Sequence, residues 1–349
     1  MTDNTAIYLF NPSTEIALAH NGATFTPRKA IMLFEQRLAL LPALYANEGS
    51  AILLPHCCDI NEAKALPYYN LISSRSLRII TKNDLRGRTA PFNPWGWNRA
   101  LVSMLNNAGY AGSSLPSAEM MDNMRNLASR RTAVEIWQQV CNKHSYDRQF
   151  FTERIPRCFS NLDEAVAFST MWHEGAVIKS PWSSSGRGVF FTKDKSAEQI
   201  SMRISDVLRA QGHVIVEPWW NKTMDFATEW QACDGNVNLL GFSLFATDEA
   251  GHYAGNCVAD QATIIDSLTK HTEKDYLLKQ VEVMGNILSE VIASRYSGPF
   301  GVDMLIDSNG LINPCVEINL RTTMGHVALA LWHTYQREFT FIPGNELPA

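Results

Sequence analysis

Short apolar runs recur in the first third of the chain, separated by longer stretches whose apolar residues repeat with helical spacing. The runs are AIYLF, AILLP and LRIIT, which begin at Ala6, Ala51 and Leu77. Apolar runs of this length predict buried strands, and their alternation with helices predicts βαβ units and a parallel sheet. We therefore predict an N-terminal α/β domain over residues 1–117.

The end of this domain carries a strong turn signal. After Pro91, the segment PFNPWGWNRALVSMLNNAG predicts a turn-rich entry into a helix that ends near Gly109. A new helical stretch begins shortly afterwards, so we place the first domain boundary near Ser117.

The middle of the chain, residues 118–220, combines helices with three strands. Residues 118–141 have helical periodicity, and the runs AVIKS, GVFFT and VIVEP follow as strands. This segment predicts a small mixed α/β unit.

The last part, residues 221–349, is richer in antiparallel strands. The sequence Asp-Gly-Asn at 234–236 separates two apolar runs and is a hairpin signal. A long helix is predicted from about 273 to 294, and a second hairpin follows it in GVDMLIDSNGLINPCVEINLR. The fold class predicted for the whole chain is therefore mixed, with an α/β domain followed by α+β units.

Composition limits the function. The chain has 349 residues, of which 46% are hydrophobic and 19% charged, and its formal net charge is -5. This length suffices for two or three domains, and the acidic balance argues against nucleic acid or an anionic membrane as a partner. No segment approaches the roughly 20 apolar residues that a membrane span needs, and the N-terminus has no basic leader pattern. We expect a soluble, cytoplasmic protein that binds a small ligand.

The sulfur and imidazole side chains suggest no metal or redox centre. Seven cysteines are scattered without a CxxC spacing, which suits reduced thiols. We interpret the adjacent Cys57 and Cys58 as buried or idle thiols rather than a redox pair. The nine histidines show neither HxxxH nor HExxH, so a zinc site is not predicted.

A lysine ends the strand AVIKS, and a loop of small residues follows it. Backbone N–H groups of a Gly/Ser loop can converge on phosphate oxygens, because glycine permits the required dihedrals. We predict that Lys179 binds phosphate, that the loop 183–188 forms the cradle, and that Arg187 is a second cation. The spacing is neither a Walker A motif nor GxGxxG, and taken alone it equally fits a flexible hairpin with a surface lysine. The predicted nucleotide-binding residues of the loop are Ser184, Ser185, Gly186, Arg187 and Gly188.

The strand VIVEP ends at a second candidate site. At Pro218 the chain stops forming ladder hydrogen bonds, which leaves backbone groups available to an adenine edge. We predict Glu217, Pro218 and Trp219 at this edge, with Asp225 as a ribose ligand. The adjacent Trp219 and Trp220 are interpreted as a mainly structural pair.

The second hairpin carries hard oxygen ligands of the kind that magnesium prefers, namely Asp303, Glu317 and Asn319. If residues 308–310 form a three-residue loop ending in a left-handed glycine, Asp303 faces Cys315 and all three ligands share one face. A two-residue turn would send the two carboxylates to opposite faces. We predict the first register and a magnesium site; an exposed hairpin with solvated charges is the alternative.

The ordered set of VIK with its Ser/Gly loop, VEP, GVD and EIN.R resembles the ATP-grasp superfamily over roughly residues 125–335. The segment GVDMLID…CVEINLRTTMGH is its most specific part. The resemblance implies an ATP cleft between two lobes, residues 118–220 with the glycine-rich loop and residues 221–349 with the metal site. It also implies that the parallel-sheet domain precedes these lobes.

The resemblance implies a role for each motif residue. Lys179 would bind the phosphates, Glu217 would lie at the adenine hinge, and Arg321 would stabilise the transferred phosphoryl group or the tetrahedral intermediate. The implied cofactors are ATP and magnesium, with manganese as an alternative. Arg187 stands where many members carry lysine, and EPWWNKTMDF is a less typical hinge, which weakens the assignment of Asp225. The implied magnesium ligands are Asp303, Glu317 and Asn319.

The function implied is an ATP- and magnesium-dependent ligase that activates a small carboxylate substrate as an acyl phosphate for attack by an amine. Two alternatives stay open: a kinase that stops after phosphorylating a small acceptor, and a nucleotide-binding regulatory protein without turnover. Arg28 could hold the substrate carboxylate or be a solvated residue at a helix start. Residues 94–98 and 246–274 are candidates for the pocket wall or a lid. The substrates and the oligomeric state, including a homodimer, are left open.

Overall fold

The computed structural model describes most of the chain. The described residues are 5–56, 58–113, 115–143, 154–183, 188–247 and 253–348. Cys57 and the predicted loop residues 184–187 lie outside them. The chain divides into two compact units, which we call unit 1 (residues 1–125, 254–260 and 321–349) and unit 2 (residues 126–253 and 261–320).

The described strands, in chain order, are β1 (Ile7–Leu9), β2 (Ala51–Leu53), β3 (Arg78–Ile80), β4 (Phe92–Pro94), β5 (Arg157–Phe159), β6 (Ala176–Lys179), β7 (Val189–Phe191), β8 (Val214–Pro218), β9 (Lys222–Cys233), β10 (Asn236–Thr247), β11 (Tyr253–Val258), β12 (Gly298–Asp307), β13 (Ile312–Asn319) and β14 (Phe339–Phe341). The described helices are α1 (Thr14–His20), α2 (Lys29–Arg37), α3 (Ile60–Ala63), α4 (Asn70–Ser74), α5 (Arg99–Asn107), α6 (Ala118–Leu127), α7 (Arg130–Lys143), α8 (Leu162–Ser169), α9 (Ala197–Gln211), α10 (Gln261–Leu268), α11 (Lys274–Ile292) and α12 (Met324–Tyr335).

Unit 1 contains a parallel sheet with the strand order β3-β2-β1-β4. Successive residues of β1 point to opposite faces: Ile7 and Leu9 pack into one apolar cluster, and Tyr8 packs into another together with Phe10, which follows the strand. Both faces of β1 are therefore buried, which explains why this strand lies in a continuous apolar run. The predicted N-terminal parallel sheet is confirmed.

The later segments of unit 1 extend the second of these clusters. Val258 of β11, Val327 and Leu331 of α12 and Phe341 of β14 belong to it. β11 and β14 pair antiparallel, with Cys257 facing Thr340. Unit 1 is thus assembled from the N-terminal domain and two short segments from later in the chain.

The helix predicted after Pro91 is confirmed as α5. The side chain of Asn98 accepts a hydrogen bond from the N–H of Leu101 at 2.9 Å and caps the start of the helix. Gly109, just beyond its end, has a φ of 73°, a left-handed conformation that favours glycine.

The helix predicted over residues 118–141 is two helices, α6 and α7. The break falls at Ser129, whose hydroxyl accepts a hydrogen bond from the N–H of Arg131 at 3.3 Å. A serine at this place satisfies a backbone donor at the start of the second helix, so the chain restarts there instead of continuing.

Unit 2 contains a small antiparallel sheet with the order β5-β8-β6-β7. Ile178 and Val216 lie on the face that packs against α8 and α9, in a cluster with Phe168 and Ile204. The odd-numbered residues of β6 and β8 lie on the opposite face. That second face carries the predicted phosphate-binding lysine.

Unit 2 also contains a larger antiparallel sheet in which β13, β12, β9 and β10 are adjacent. The predicted hairpin is confirmed: Cys233 faces Asn236, and Asp234 and Gly235 have φ values of 51° and 76°. These positive values at both central positions are those of a type I′ turn. The predicted long helix is confirmed as α11. No helix in the described part of the chain is long and apolar enough to cross a membrane.

Candidate active site

Lys179 and Glu217 form a buried ion pair in the small sheet of unit 2. In the ladder between β6 and β8, Lys179 faces Ile215 and Val177 faces Glu217, so the two charged residues are diagonal neighbours on one face. The lysine Nζ contacts the Glu217 carboxylate, and the side chains are 6% and 7% exposed. The sequence analysis predicted roles for both residues but did not predict that they contact each other.

The ends of the glycine-rich loop are joined as in a hairpin. The N–H of Ser180 donates to the carbonyl oxygen of Gly188 at 2.8 Å. A side chain at Gly188 would collide with Ser183, so this position requires glycine. The predicted cradle residues Ser184, Ser185, Gly186 and Arg187 lie outside the described residues, and their role stays a prediction.

The turn of the second hairpin has the predicted geometry. Gly310 has a φ of 80°, and the N–H of Asp307 donates to the carbonyl oxygen of Leu311 at 2.9 Å. The three-residue loop with a left-handed glycine is therefore confirmed.

Further from the turn, the predicted register is wrong. Asp303 faces Glu317 rather than Cys315, because the ladder shifts immediately after Asp303. Pro314 lies in the shifted part of β13, and proline cannot donate a ladder hydrogen bond, so a bulge is favoured there. Directly opposite residues share a face, and Asn319 lies on that face by the period of two. The three predicted ligands therefore share one face, as expected, although by a different register.

The strand β9 adds two acidic residues to the same face. Ala227 faces Asp303, so the period of two places Asp225 and Glu229 on the side that carries Asp303. Glu229 is 1% exposed, and the sequence analysis missed it. Asp225, the predicted ribose ligand, lies 2.5 Å from the Nζ of Lys222.

One buried thiol shows that these groups are close to each other. Burial raises the pKa of Cys315, and the negative charges of Asp303, Glu317 and Glu217 add to the increase. The positive charge of Lys179 lowers the same pKa and so opposes part of this increase. Lys179, Glu217, Asp303 and Glu317 are therefore all near enough to Cys315 for their charges to act on its thiol.

Arg130, at the start of α7, is a further residue of this site that the sequence analysis missed. Its Nη2 donates to Glu317 at 2.6 Å, and its Nη1 donates to the Ser180 carbonyl at 2.8 Å and the Ser183 hydroxyl at 2.6 Å. The Arg130 side chain is 4% exposed. It thus joins one end of the glycine-rich loop to a predicted metal ligand. The sequence contains a signal for this residue, because α7 begins with two arginines. Cations are unfavourable at a helix N-terminus, where they oppose the helix dipole, so their presence there suggests a role other than helix stability.

We expect replacement of Arg130 by glutamine to lower the free energy of unfolding by about 3 kcal/mol, because it leaves Glu317 without its ion-pair partner. Arg131→Gln is the matched control: among the described residues Arg131 pairs with Glu135, at 3.3 Å, and both side chains are more than half exposed. An exposed pair of this kind contributes at most about 1 kcal/mol. Urea denaturation of the two variants measures the difference; equal losses would contradict the role assigned to Arg130.

The aromatic residues beyond β8 differ in burial. Trp220 is 4% exposed and packs against Trp137, with ring centroids 5.9 Å apart. Trp219 is half-buried and packs against Phe191, with ring centroids 5.5 Å apart. The backbone N–H of Trp219 donates to the Gly175 carbonyl at 3.1 Å. Trp220 is therefore a core residue, as interpreted from the sequence. The adenine contacts of Pro218 and Trp219 stay a prediction.

Arg321 belongs to unit 1, where it pairs with Glu15. Its Nε donates to Glu15 Oε1 at 2.8 Å, and its Nη1 donates to the Thr322 carbonyl at 3.1 Å. The sequence places Arg321 two residues after Asn319, but it did not predict the carboxylate partner. Arg28, the candidate for a substrate carboxylate, is exposed at the residue before α2.

The donor set suits magnesium. Asp303, Glu317 and Asn319 offer three hard oxygen donors on one face, and magnesium is commonly held by one or two carboxylates together with waters and phosphate oxygens. Among the described residues, no group of three or more His, Cys, Asp or Glu side chains is arranged to hold a metal ion. An ion here would therefore need the amide of Asn319 and oxygens from a ligand in addition to the two carboxylates.

A buried donor of Arg130 suits an anion at the same place. The Nε–H of Arg130 is buried and has no hydrogen-bond partner within the described ranges. A buried donor without a partner is costly, and a phosphate oxygen would satisfy it.

Comparison with solved structures identifies the class of fold. The chain aligns with the N5-carboxyaminoimidazole synthetase from Staphylococcus aureus complexed with ADP, with a TM-score of 0.51 and 12% identity over 99% of this chain and 78% of that one. It also aligns with a biotin carboxylase complex from Campylobacter jejuni, with a TM-score of 0.53 and 12% identity over 98% of this chain and 72% of that one. These proteins share a parallel N-terminal sheet followed by antiparallel sheets. The chain has the ATP-grasp fold, and the predicted resemblance is confirmed.

Comparison by sequence is more limited. The chain is 22% identical over 171 residues to the [butirosin acyl-carrier protein]–L-glutamate ligase of Niallia circulans, a match that covers 49% of this chain and 38% of that protein. The matched region thus spans well under half of the length of this curated relative. No family model matches the sequence.

Proposed function

We propose that this chain is an ATP- and magnesium-dependent ligase that activates a substrate carboxylate as an acyl phosphate for attack by an amine. The observation that carries the proposal is the convergence, within unit 2, of Lys179, the Asp303–Glu317 pair and Arg130. A cation for phosphate, two opposed carboxylates for a metal and a buried donor without a partner among the described residues are parts that phosphoryl transfer requires. The ATP-grasp fold supports the same function.

ATP binding is assigned to unit 2. Lys179 would bind the phosphates, together with the loop 183–188 and Arg130. Glu217 holds the Lys179 ammonium group on the face that carries the site, so the lysine is oriented before the nucleotide arrives. The end of β8 would contact adenine, and Asp225 would contact the ribose.

Magnesium, or manganese in its place, would be held by Asp303, Glu317 and Asn319, and it would neutralise charge on the phosphate oxygens. The chain prepares this site through Arg130, which fixes the Glu317 carboxylate from one side. Asp303 lies directly opposite on the adjacent strand. The two carboxylates are therefore placed by the ladder and by one buried cation.

The chemistry proceeds in two substitutions. A carboxylate oxygen of the substrate attacks the γ-phosphorus of ATP. The bond between this phosphorus and the oxygen that leaves with ADP breaks, which yields an acyl phosphate and ADP. The amine then attacks the acyl carbon and loses a proton, and inorganic phosphate leaves. Lys179 and Arg130 would stabilise negative charge in the first step, and Arg321 would do so during acyl transfer.

The substrates are a small carboxylate and an amine acceptor. The name of the curated relative describes the joining of L-glutamate to an acyl-carrier protein, which makes amino acids the first carboxylates to test.

The lobe boundaries at residues 117 and 220 and the homodimer stay predictions. Limited proteolysis and light scattering test them.

An isotope experiment tests the mechanism. Amino acids, including L-glutamate, are screened with amines for ADP release, and the best carboxylate is then labelled with oxygen-18. We expect one labelled oxygen in the inorganic phosphate, because the attacking carboxylate oxygen stays with phosphorus when the amine displaces it. The measurement is mass spectrometry of the phosphate, with a reaction lacking amine as the control.

The other outcomes select the alternatives. ADP release with a stable phosphorylated acceptor would identify a kinase, because the label would then stay in that product. Tight binding of magnesium-ATP with no ADP release across a broad screen would identify a nucleotide-binding regulatory protein.

A further inference from the structure

The segment that follows β1 in unit 1, up to the first residue of α1, is hydrogen-bonded to the segment that follows β4. The Nδ2 of Asn11 donates to the Gly96 carbonyl at 2.8 Å, and the Thr14 hydroxyl donates to the Trp97 carbonyl at 3.1 Å. The Asn98 amide donates to the same Thr14 hydroxyl at 3.3 Å. Both loops leave the carboxyl ends of adjacent parallel strands, which is the edge where such sheets bind ligands.

A buried carboxylate fixes the same loop from the other side. Glu35 of α2 accepts hydrogen bonds from the N–H of Ser13 at 3.2 Å and from its hydroxyl at 2.6 Å. Ser13 and Glu35 are 7% and 8% exposed. Residues 11, 13 and 14 are therefore all hydrogen-bonded to other segments, and Glu15 follows them in the first turn of α1.

Glu15 binds the guanidinium group of Arg321. One carboxylate oxygen, Oε1, lies 2.8 Å from both the Nε and the Nη2 of Arg321. The side chains are 11% and 18% exposed, so the pair is largely shielded from water. Charge-assisted hydrogen bonds of this kind orient the planar guanidinium more strictly than a single contact does.

Gly96 makes room for this arrangement. A Cβ atom at Gly96 would lie 2.5 Å from the Cγ2 of Thr14 and 3.1 Å from the Cβ of Arg321. The N–H of Thr322 donates to the Trp95 carbonyl at 2.9 Å, so the backbone next to Arg321 is attached to the same loop. The loop after β4 thus approaches Arg321 closely only because residue 96 has no side chain.

We propose that Glu15 is a positioning residue for Arg321, and that the loops after β1 and β4 form a rigid support for the Glu15 carboxylate. This inference rests on the proposed function, in which Arg321 stabilises negative charge during acyl transfer. Glu15 need not touch the substrate; it sets the plane of the guanidinium group. Misplacement of a charge-stabilising group by about 1 Å can lower a rate on the order of 100-fold.

The test combines Glu15→Gln with Arg321→Met. We expect Glu15→Gln to lower kcat on the order of 10- to 100-fold with little change in the KM for ATP, since orientation rather than nucleotide binding is lost. In the Arg321→Met background, the same substitution should have almost no further effect, because the group on which it acts is absent. A merely structural role would lower activity equally in both backgrounds. Glu48→Gln, at an exposed position, is the matched control.

A second variant and a second readout complete the test. Gly96→Ala should reproduce the loss of kcat by displacing Arg321. NMR of the arginine Nε–Hε groups measures positioning without turnover: the Arg321 signal, assigned through Arg321→Met, should exchange with water faster in Glu15→Gln. Normal kcat and unchanged exchange in Glu15→Gln would overturn the inference alone. Normal turnover in Arg321→Met would instead overturn the proposed role of Arg321.

Discussion

Replacing Lys179 by methionine is expected to lower both the free energy of unfolding and the affinity for ATP. Its partner Glu217 is buried, and breaking a buried ion pair by removing one partner costs about 3–5 kcal/mol. If Lys179 also binds phosphate, ATP affinity falls on the order of 10- to 100-fold, because a hydrogen bond to a charged group contributes roughly 1.5–3 kcal/mol. Urea denaturation and isothermal titration calorimetry with magnesium-ATP measure the two losses.

The double variant Lys179→Met/Glu217→Gln separates the two effects. It removes both charges, so most of the lost stability should return, while ATP affinity should stay low. Lys195→Met, at an exposed lysine, is the control and should change neither quantity. Full recovery of ATP affinity in the double variant would show that Lys179 serves the fold and not the nucleotide.

Replacing Glu317 by glutamine is expected to suppress turnover on the order of 100- to 1000-fold while leaving ATP affinity within a few-fold of the original. Glutamine keeps an oxygen that can accept the hydrogen bond from Arg130 but removes the negative charge that a metal needs. The charge matters most when negative charge moves between the phosphate oxygens, so the loss should fall on kcat. ADP release and calorimetry measure the two quantities.

Two further variants show whether the loss is specific. Asp303→Asn removes the charge that faces Glu317 and should reproduce the effect on kcat. Glu282→Gln removes an exposed charge on α11, whose ion-pair partner is Lys279 at 2.9 Å. That control should retain full turnover. An active Glu317→Gln variant would remove Glu317 from the metal site.

The elements of the fold could be predicted from sequence where the signal is local. The apolar runs of the first sheet, the hairpin at residues 234–235 and the long helix α11 follow from burial and turn chemistry within each segment. The break at Ser129 was missed because its sign is a single capping residue within a continuous helical pattern. A cap acts through one hydrogen bond, and the spacing of apolar residues along the chain gives no sign of such a bond.

For the candidate site, the sequence suggests residues but not their contacts. Lys179, Glu217, Asp303 and Glu317 were named from the order of the motifs. Arg130 was not, because it lies 187 residues from Glu317 in sequence, and no local pattern links the two.

The sequence by itself determined the fold class, the turn geometry and the set of candidate ligands, because these depend on neighbouring residues and on their period. The tertiary structure decided the partners: Glu217 for Lys179, Arg130 for Glu317, and Glu15 for Arg321 across 306 residues. It also decided the register shift near Pro314. The reason is that periodicity reports whether a side chain is buried, whereas the identity of its neighbour depends on how distant segments pack.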